Sequence, residues 1–244
     1  MQTHKIVSRE EWIAARRVLL EKEKAHLRAQ DEIARQRREL PWVKVEKSYV
    51  FEGPDGKETL SDLFAGRSQL IVKHFMFGPD WEEGCVGCSF GADQSDGSLV
   101  HLVNHDVMLI AVSRAPYAKI APFHKRMGWH FKWVSSAGSD FNFDYSVSFT
   151  EADRERGKVF YNFVEQDYAI DELPGYSVFT KDDTGQIFHT YSVFARGTEH
   201  TGTVYGFLDI TPKGRNEPPG GNLSDWVKHH DKYEQKGEKS CCHG

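Results

Sequence analysis

With 244 residues, 39% of them hydrophobic and 27% charged, the chain has the material for a sizeable core. It is short for two full domains, which favours one domain with an N-terminal extension and a C-terminal tail. The 36 acidic and 31 basic side chains leave a formal net charge of −5, which argues against nucleic acid as a partner. No run reaches the roughly 18 apolar residues of a membrane span, and the polar residues 1–11 lack the apolar core of a signal peptide. No membrane association is therefore expected, and the expected location is the cytoplasm, where a Cys-x-x-Cys pair reads as redox or metal chemistry rather than a structural staple.

Residues 8–40 are expected to form one long helix. Ser8 and Glu11 have the spacing of a capping box, each side chain serving the other's orphan amide. Apolar pairs recur seven residues apart, at Trp12/Ile13, Leu19/Leu20, His26/Leu27 and Ile33/Ala34, and make a narrow stripe on a charged helix. Pro41 ends it. The basic residues Arg35, Arg37 and Arg38 suit the negative end of the helix dipole. The stripe can pack as an arm on its own domain or form a homodimer contact; the period does not separate the two.

Next come residues 43–51, a Gly-Pro-Asp-Gly turn at 53–56, and residues 59–64. Residues 69–77 read as a buried strand, followed by the polar loop 78–84 and Cys85. A helix over 89–104 is expected, weakened by Gly91 and Gly97. A second buried strand occupies 107–113. Pro116 then starts a helix whose face carries Tyr117, Ile120, His124 and Met127, and 130–134 is a third strand. Residues 135–149 form an aromatic-rich, irregular insertion. A short helix after Thr150 uses Asp153 in place of the capping-box Glu. Residues 159–163 and 176–180 read as strands, the latter turning through 181–185 into 187–194 as a hairpin. Residues 213–221 are rich in Pro and Gly, and 234–244 read as a mobile tail.

Strand, Cys loop, helix, strand, helix, strand and late hairpin is the order of a thioredoxin-like α/β fold, with a mainly parallel central sheet flanked by helices. The expected organisation is a helical arm at 1–41, a thioredoxin-like domain at 42–212, and a C-terminal extension at 213–244.

The candidate chemistry lies at Cys85 and Cys88. A thiol at a helix N-terminus feels unpaired amides and the positive end of the dipole, which lower its pKa. Two intervening residues let the second thiol attack a mixed disulfide and release the product. Cys85 is expected to attack and Cys88 to resolve, with Cys85 the more exposed. Asp80, Glu82 and Glu83 lie close in sequence and would oppose a thiolate. Metal binding and two inert buried thiols remain as alternatives.

Cys241, Cys242 and His243 could join a zinc site or shuttle electrons, but a tail without such a role is the plainer reading. His229, His230 and Asp231 are read as part of a solvated C-terminal helix starting at Ser224/Asp225, and His74 as a satisfied core histidine. A cis Pro174 would face the Cys loop, although most such bonds are trans. No Gly-rich dinucleotide fingerprint is present, so no organic cofactor is expected.

Four segments carry a resemblance: residues 75–81 (Phe-Met-Phe-Gly-Pro-Asp-Trp), Cys85/Cys88 followed by Ser89-Phe90, residues 208–215, and residues 226–231. Together they resemble domain-of-unknown-function family 899, a bacterial thioredoxin-like group, over residues 8–233. The resemblance implies the fold and supplies no reaction. More distantly, residues 53–64 resemble the N-terminal hairpin of peroxiredoxins. Glu82 stands where the peroxidatic pattern has Thr or Ser three residues before its Cys, and Val86-Gly87 replace thioredoxin's Gly-Pro. The working expectation is a thiol-disulfide oxidoreductase acting on a protein or small-molecule disulfide. A non-catalytic interaction protein of the same fold is the rival.

Overall fold

The computed structural model describes residues 4–167, 170–211 and 227–233. The chain divides into two units, residues 1–41 and 42–244.

The first unit is built on α1 (Arg9–Arg38). Its capping box forms as expected: the Ser8 hydroxyl accepts from the Glu11 amide, and the Ser8 amide donates to the Glu11 carboxylate at 3.0 Å. Ion pairs along the surface, such as Lys24–Glu21 and Arg35–Glu32, support the helix locally. No residue of α1 is buried; Trp12, Leu20, Leu27 and Ile33 are all exposed.

The second unit runs in the order β1 (Val43–Lys44), β2 (Val50–Gly53), β3 (Gly56–Thr59), β4 (Gln69–His74), α2 (Val86–Asp96), α3 (Leu99–Asn104), β5 (Val107–Ser113), α4 (Tyr117–Met127), β6 (Lys132–Ser135), α5 (Phe141–Asp144), α6 (Glu151–Glu155), β7 (Val159–Tyr161), β8 (Val164–Gln166), β9 (Gly175–Lys181), β10 (Ile187–Phe194) and α7 (Val204–Asp209). Among the described residues, eight strands make one sheet ordered β1-β10-β9-β4-β5-β6-β2-β3, and β7-β8 form a separate hairpin. The fold is thioredoxin-like. Its sheet is mixed: β4, β5 and β6 are parallel at the centre, and the β9-β10 and β2-β3 hairpins add antiparallel strands outside them.

The two apolar runs expected to be neighbours are so. β4 and β5 pair in parallel from Gln69↔Val107 to His74↔Val112. Alternation along β4 sends Leu70 and Val72 to one face, with Phe51, Phe64, Ile110 and Phe179. Ile71 and Phe75 go to the other face, against Phe123, Trp129, Trp133 and the Ala92 side of α2. Full burial of such a side chain is worth about 1.5–3 kcal/mol, so this second cluster clamps α2 onto the sheet.

Three elements differ from expectation. The helix over 89–104 is two helices, broken around Gly97 and Ser98, and α2 starts at Val86 because Cys85 takes the N-cap place. The third strand begins at Lys132 and not at residue 130, because the Asp96 carboxylate accepts from the amides of His130 and Phe131 at 2.7 and 3.1 Å and withdraws them from the ladder. The insertion 135–149, expected to be irregular, contains the short helix α5, and its Phe141, Val147 and Phe149 are buried. Thr150 and Asp153 do form a capping box, on α6.

Candidate functional site

The chain leaves β4 through Phe75 and Phe77, both buried, and turns back so that the Cys85 amide donates to the Met76 carbonyl at 2.9 Å. The intervening loop is pinned at several points. Lys119 Nζ donates to the carbonyls of Pro79 and Trp81 at 3.0 and 3.2 Å. Gly84 is required by close approach: a Cβ there would lie 2.7 Å from the Phe75 ring and 3.0 Å from the Phe123 ring. This anchoring sets Cys85 at the N-terminus of α2.

Cys85 and Cys88 are brought together, and neither is in a disulfide. Cys85 is partly exposed, whereas Cys88, one helical turn on, is 5% exposed and turned to the sheet. The Met76 amide donates to Cys88 Sγ at 3.4 Å. Cys85 is held down to about 6: the Cys88 thiol hydrogen-bonds to it, and the amides of Cys88 and Gly87 and the Lys73 charge add to that, against the opposing effect of burial. Cys88 is pushed well up by the same hydrogen bond and by its own burial.

The neighbouring carboxylates do not oppose the thiolate as expected. Asp80 is exposed, and the Glu82 side chain is 93% exposed and faces water. Glu83 lies between Lys232 and Arg126, each at 2.6 Å, and these pairs hold its carboxyl down at about 2. Its charge is matched locally.

A cavity of about 500 Å³ opens beside the pair. Its walls include Cys85, Cys88, Phe90, Leu173, Tyr176 and Lys73. Pro174 lines it too, with a trans peptide. Lys73 is 6% exposed, and its Nζ donates to Tyr176 Oη at 2.7 Å. Sequence reading passed over Lys73 because it sits in an apolar strand. Its one signal was being the sole cation in that run, on the Ile71 and Phe75 side.

The C-terminal histidines are placed differently from expectation. His229 is not on a solvated helix: it is 2% exposed, and its Nε2 lies 2.9 Å from the Gly84 carbonyl. A 3-10 turn, His230–Lys232, follows it. His230 Nδ1 is 2.8 Å from Asp93, and Arg126 pairs with Asp231 at 3.1 Å. His74 is a core residue, with Nε2 2.8 Å from Ser177 Oγ. Ser224, Asp225, Cys241, Cys242 and His243 lie outside the described residues. No group of three metal-ligating side chains occurs among the described residues.

Two solved structures superpose on part of this chain at low identity. Peroxiredoxin Q of Xanthomonas campestris superposes with a TM-score of 0.44 at 14% identity, over 62% of this chain and 84% of that one. The peroxidoxin BcpB of Mycobacterium tuberculosis gives 0.42 at 12% identity, over 64% and 84%. No curated protein sequence is matched. The family model for DUF899, bacterial proteins of unknown function, matches residues 1–233, so the chain belongs to that family.

Proposed function

We propose that the protein is a thiol-disulfide oxidoreductase in which Cys85 attacks and Cys88 resolves. The observation that carries this is the asymmetry of the pair: a partly exposed thiol held near 6 at a helix N-terminus, beside a buried thiol held high. At neutral pH the first is mostly thiolate and the second a thiol. The Cys85 thiolate attacks one sulfur of a substrate disulfide and expels the other as a thiolate. Cys88, on losing its proton, then attacks Cys85 Sγ and releases the second half as a thiol. The substrate takes two electrons and the protein keeps a Cys85–Cys88 disulfide. The cavity beside Cys85 would hold a protein or small-molecule disulfide, and the chemistry needs no organic cofactor. A cytoplasmic location, with its reducing thiol pool, suits a dithiol that must be reduced again. No helix among the described residues is long and apolar enough to cross a membrane.

The test is a mass measurement on Cys85→Ser and Cys88→Ser after exposure to oxidised glutathione. With Cys241 and Cys242 replaced by Ser in both, Cys88→Ser should trap one glutathione on Cys85, and Cys85→Ser should trap none. Equal adducts on both, or none on either, would leave a non-catalytic interaction protein as the better reading.

A further inference from the structure

Lys73 is a buried cation whose counter-charge is not supplied by any carboxylate among the described residues. Its Nζ donates to Tyr176 Oη at 2.7 Å, and the Lys73 charge pulls the Tyr176 phenol down against its burial. It lies against α2 at Gly91: a Cβ on that residue would sit 2.8 Å from Nζ, so the missing side chain is what leaves room for the ammonium beneath the helix. Gly91 is three residues past Cys88, and Lys73 lines the same cavity as both thiols. A buried, unpaired ammonium costs several kcal/mol. That cost is offset by negative charge beside it, which Tyr176, Cys88 and Cys85 can each supply; of the two thiols, Cys85 is the one held down and Cys88 the one pushed up.

We propose that Lys73 is the counter-cation of the reduced site: its ammonium, oriented by Tyr176 and admitted by Gly91, stabilises the Cys85 thiolate and thereby makes the dithiol more oxidising. This rests on the redox reading of the Cys pair. In the reduced state the thiolate and the ammonium compensate each other. When a substrate disulfide is reduced, the Cys85 electron pair enters a sulfur–sulfur bond and the negative charge departs on the first substrate thiolate. The Cys88 proton leaves with the second half as a thiol. Lys73 then remains beside a neutral disulfide, and the oxidised state bears the cost of its burial.

Burial pulls Lys73 down, but Tyr176, then Cys88 and then Cys85 outweigh it and keep the ammonium protonated. The other charged groups facing Cys85 cannot take this role. Glu83, Arg126 and Lys232 pair among themselves. Arg196, at the cavity, pairs with Glu199 at 2.8 Å. His229 hydrogen-bonds through both ring nitrogens, to Gly84 and Arg126.

The experiment compares wild type, Lys73→Met, Lys73→Arg and Gly91→Ala in two measurements. One is the pH dependence of Cys85 alkylation; the other is the redox equilibrium with glutathione at pH 7 and 8. Lys73→Met should move the alkylation midpoint up from about 6 towards an ordinary thiol. It should also shift the equilibrium towards the protein disulfide, by up to about tenfold (about 30 mV) at pH 7. The shift should be larger at pH 8, where an ordinary thiol is still mostly protonated. Lys73→Arg should restore part of both. Gly91→Ala favours the helix and displaces Nζ, so it should raise the midpoint even if Lys73→Met fails to fold. Disulfide formation with an unchanged midpoint and equilibrium in the folded variants would overturn the role of Lys73 alone. Failure of wild type to form the Cys85–Cys88 disulfide would overturn the redox reading beneath it.

Discussion

His229 Nε2 lies 2.9 Å from the carbonyl oxygen of Gly84, so residues 145 positions apart close on the backbone just before Cys85. Arg126 approaches His229 Nδ1 at 3.2 Å. A guanidinium can only donate, so Nδ1 accepts and Nε2 carries the proton given to Gly84. The contact tethers the Cys loop to the segment 227–233. His229→Ala leaves the buried Gly84 carbonyl and an Arg126 donor without their partner, and should cost about 1–3 kcal/mol in urea denaturation. Amide exchange should also quicken at residues 80–88. A variant matching wild type in both measurements would show that the tether carries no load.

The thiolate should be visible in rate. Alkylation of Cys85 by iodoacetamide should rise with pH to a plateau, with its midpoint near 6. Glu82→Gln should leave this unchanged, since that side chain is solvated. Glu83→Gln removes a negative charge while Arg126 and Lys232 stay, so the midpoint should move down and not up. An upward movement would mean that Glu83 acts by holding those cations towards the thiol.

Glu172 should imprint a pH dependence on stability. It is 1% exposed and pushed up to about 7 by burial, although Ser148 and Arg114 bond it at 2.7 and 2.9 Å and pull the other way. Its folded value lies above its unfolded one. The folded state therefore binds more protons between about pH 4.5 and 7, and stability falls as pH rises through that window. The whole effect is about 3 kcal/mol. Glu172→Gln keeps the shape and an acceptor for Ser148 and should flatten the profile. An unaltered slope would assign it to other groups.

The exposed stripe of α1 should be covered by a second copy of the chain. Antiparallel pairing would set the acidic first turn, Glu10 and Glu11, against the basic last turn, Arg35, Arg37 and Arg38. Sedimentation should give a dimer at micromolar concentration, and Leu20→Asp with Leu27→Asp should give a monomer. A monomeric wild type would remove the arm as a dimer contact.

What could be read from sequence was local. The capping boxes at Ser8/Glu11 and Thr150/Asp153 involve residues three apart, and a helix start closes them without help from the rest of the chain. The runs forming β4 and β5 are apolar enough to require cover on both faces, and this placed them side by side at the sheet centre. The Cys85–Cys88 spacing fits one helical turn, so their proximity followed from four residues.

Tertiary structure decided what surrounds the thiols. Lys73 meets Tyr176 across 103 positions, and Glu83 is matched by Lys232 from 149 positions away. The acidic cluster beside Cys85 was visible in sequence, but its cancelling cations were not. The late start of β6 depends likewise on Asp96 reaching His130 and Phe131. Helices and strands arise from neighbours a few residues apart, so sequence determined the scaffold and the position of the thiols. A thiol's acidity depends on charges and dipoles within a few ångströms, and only folding determined which groups stand there.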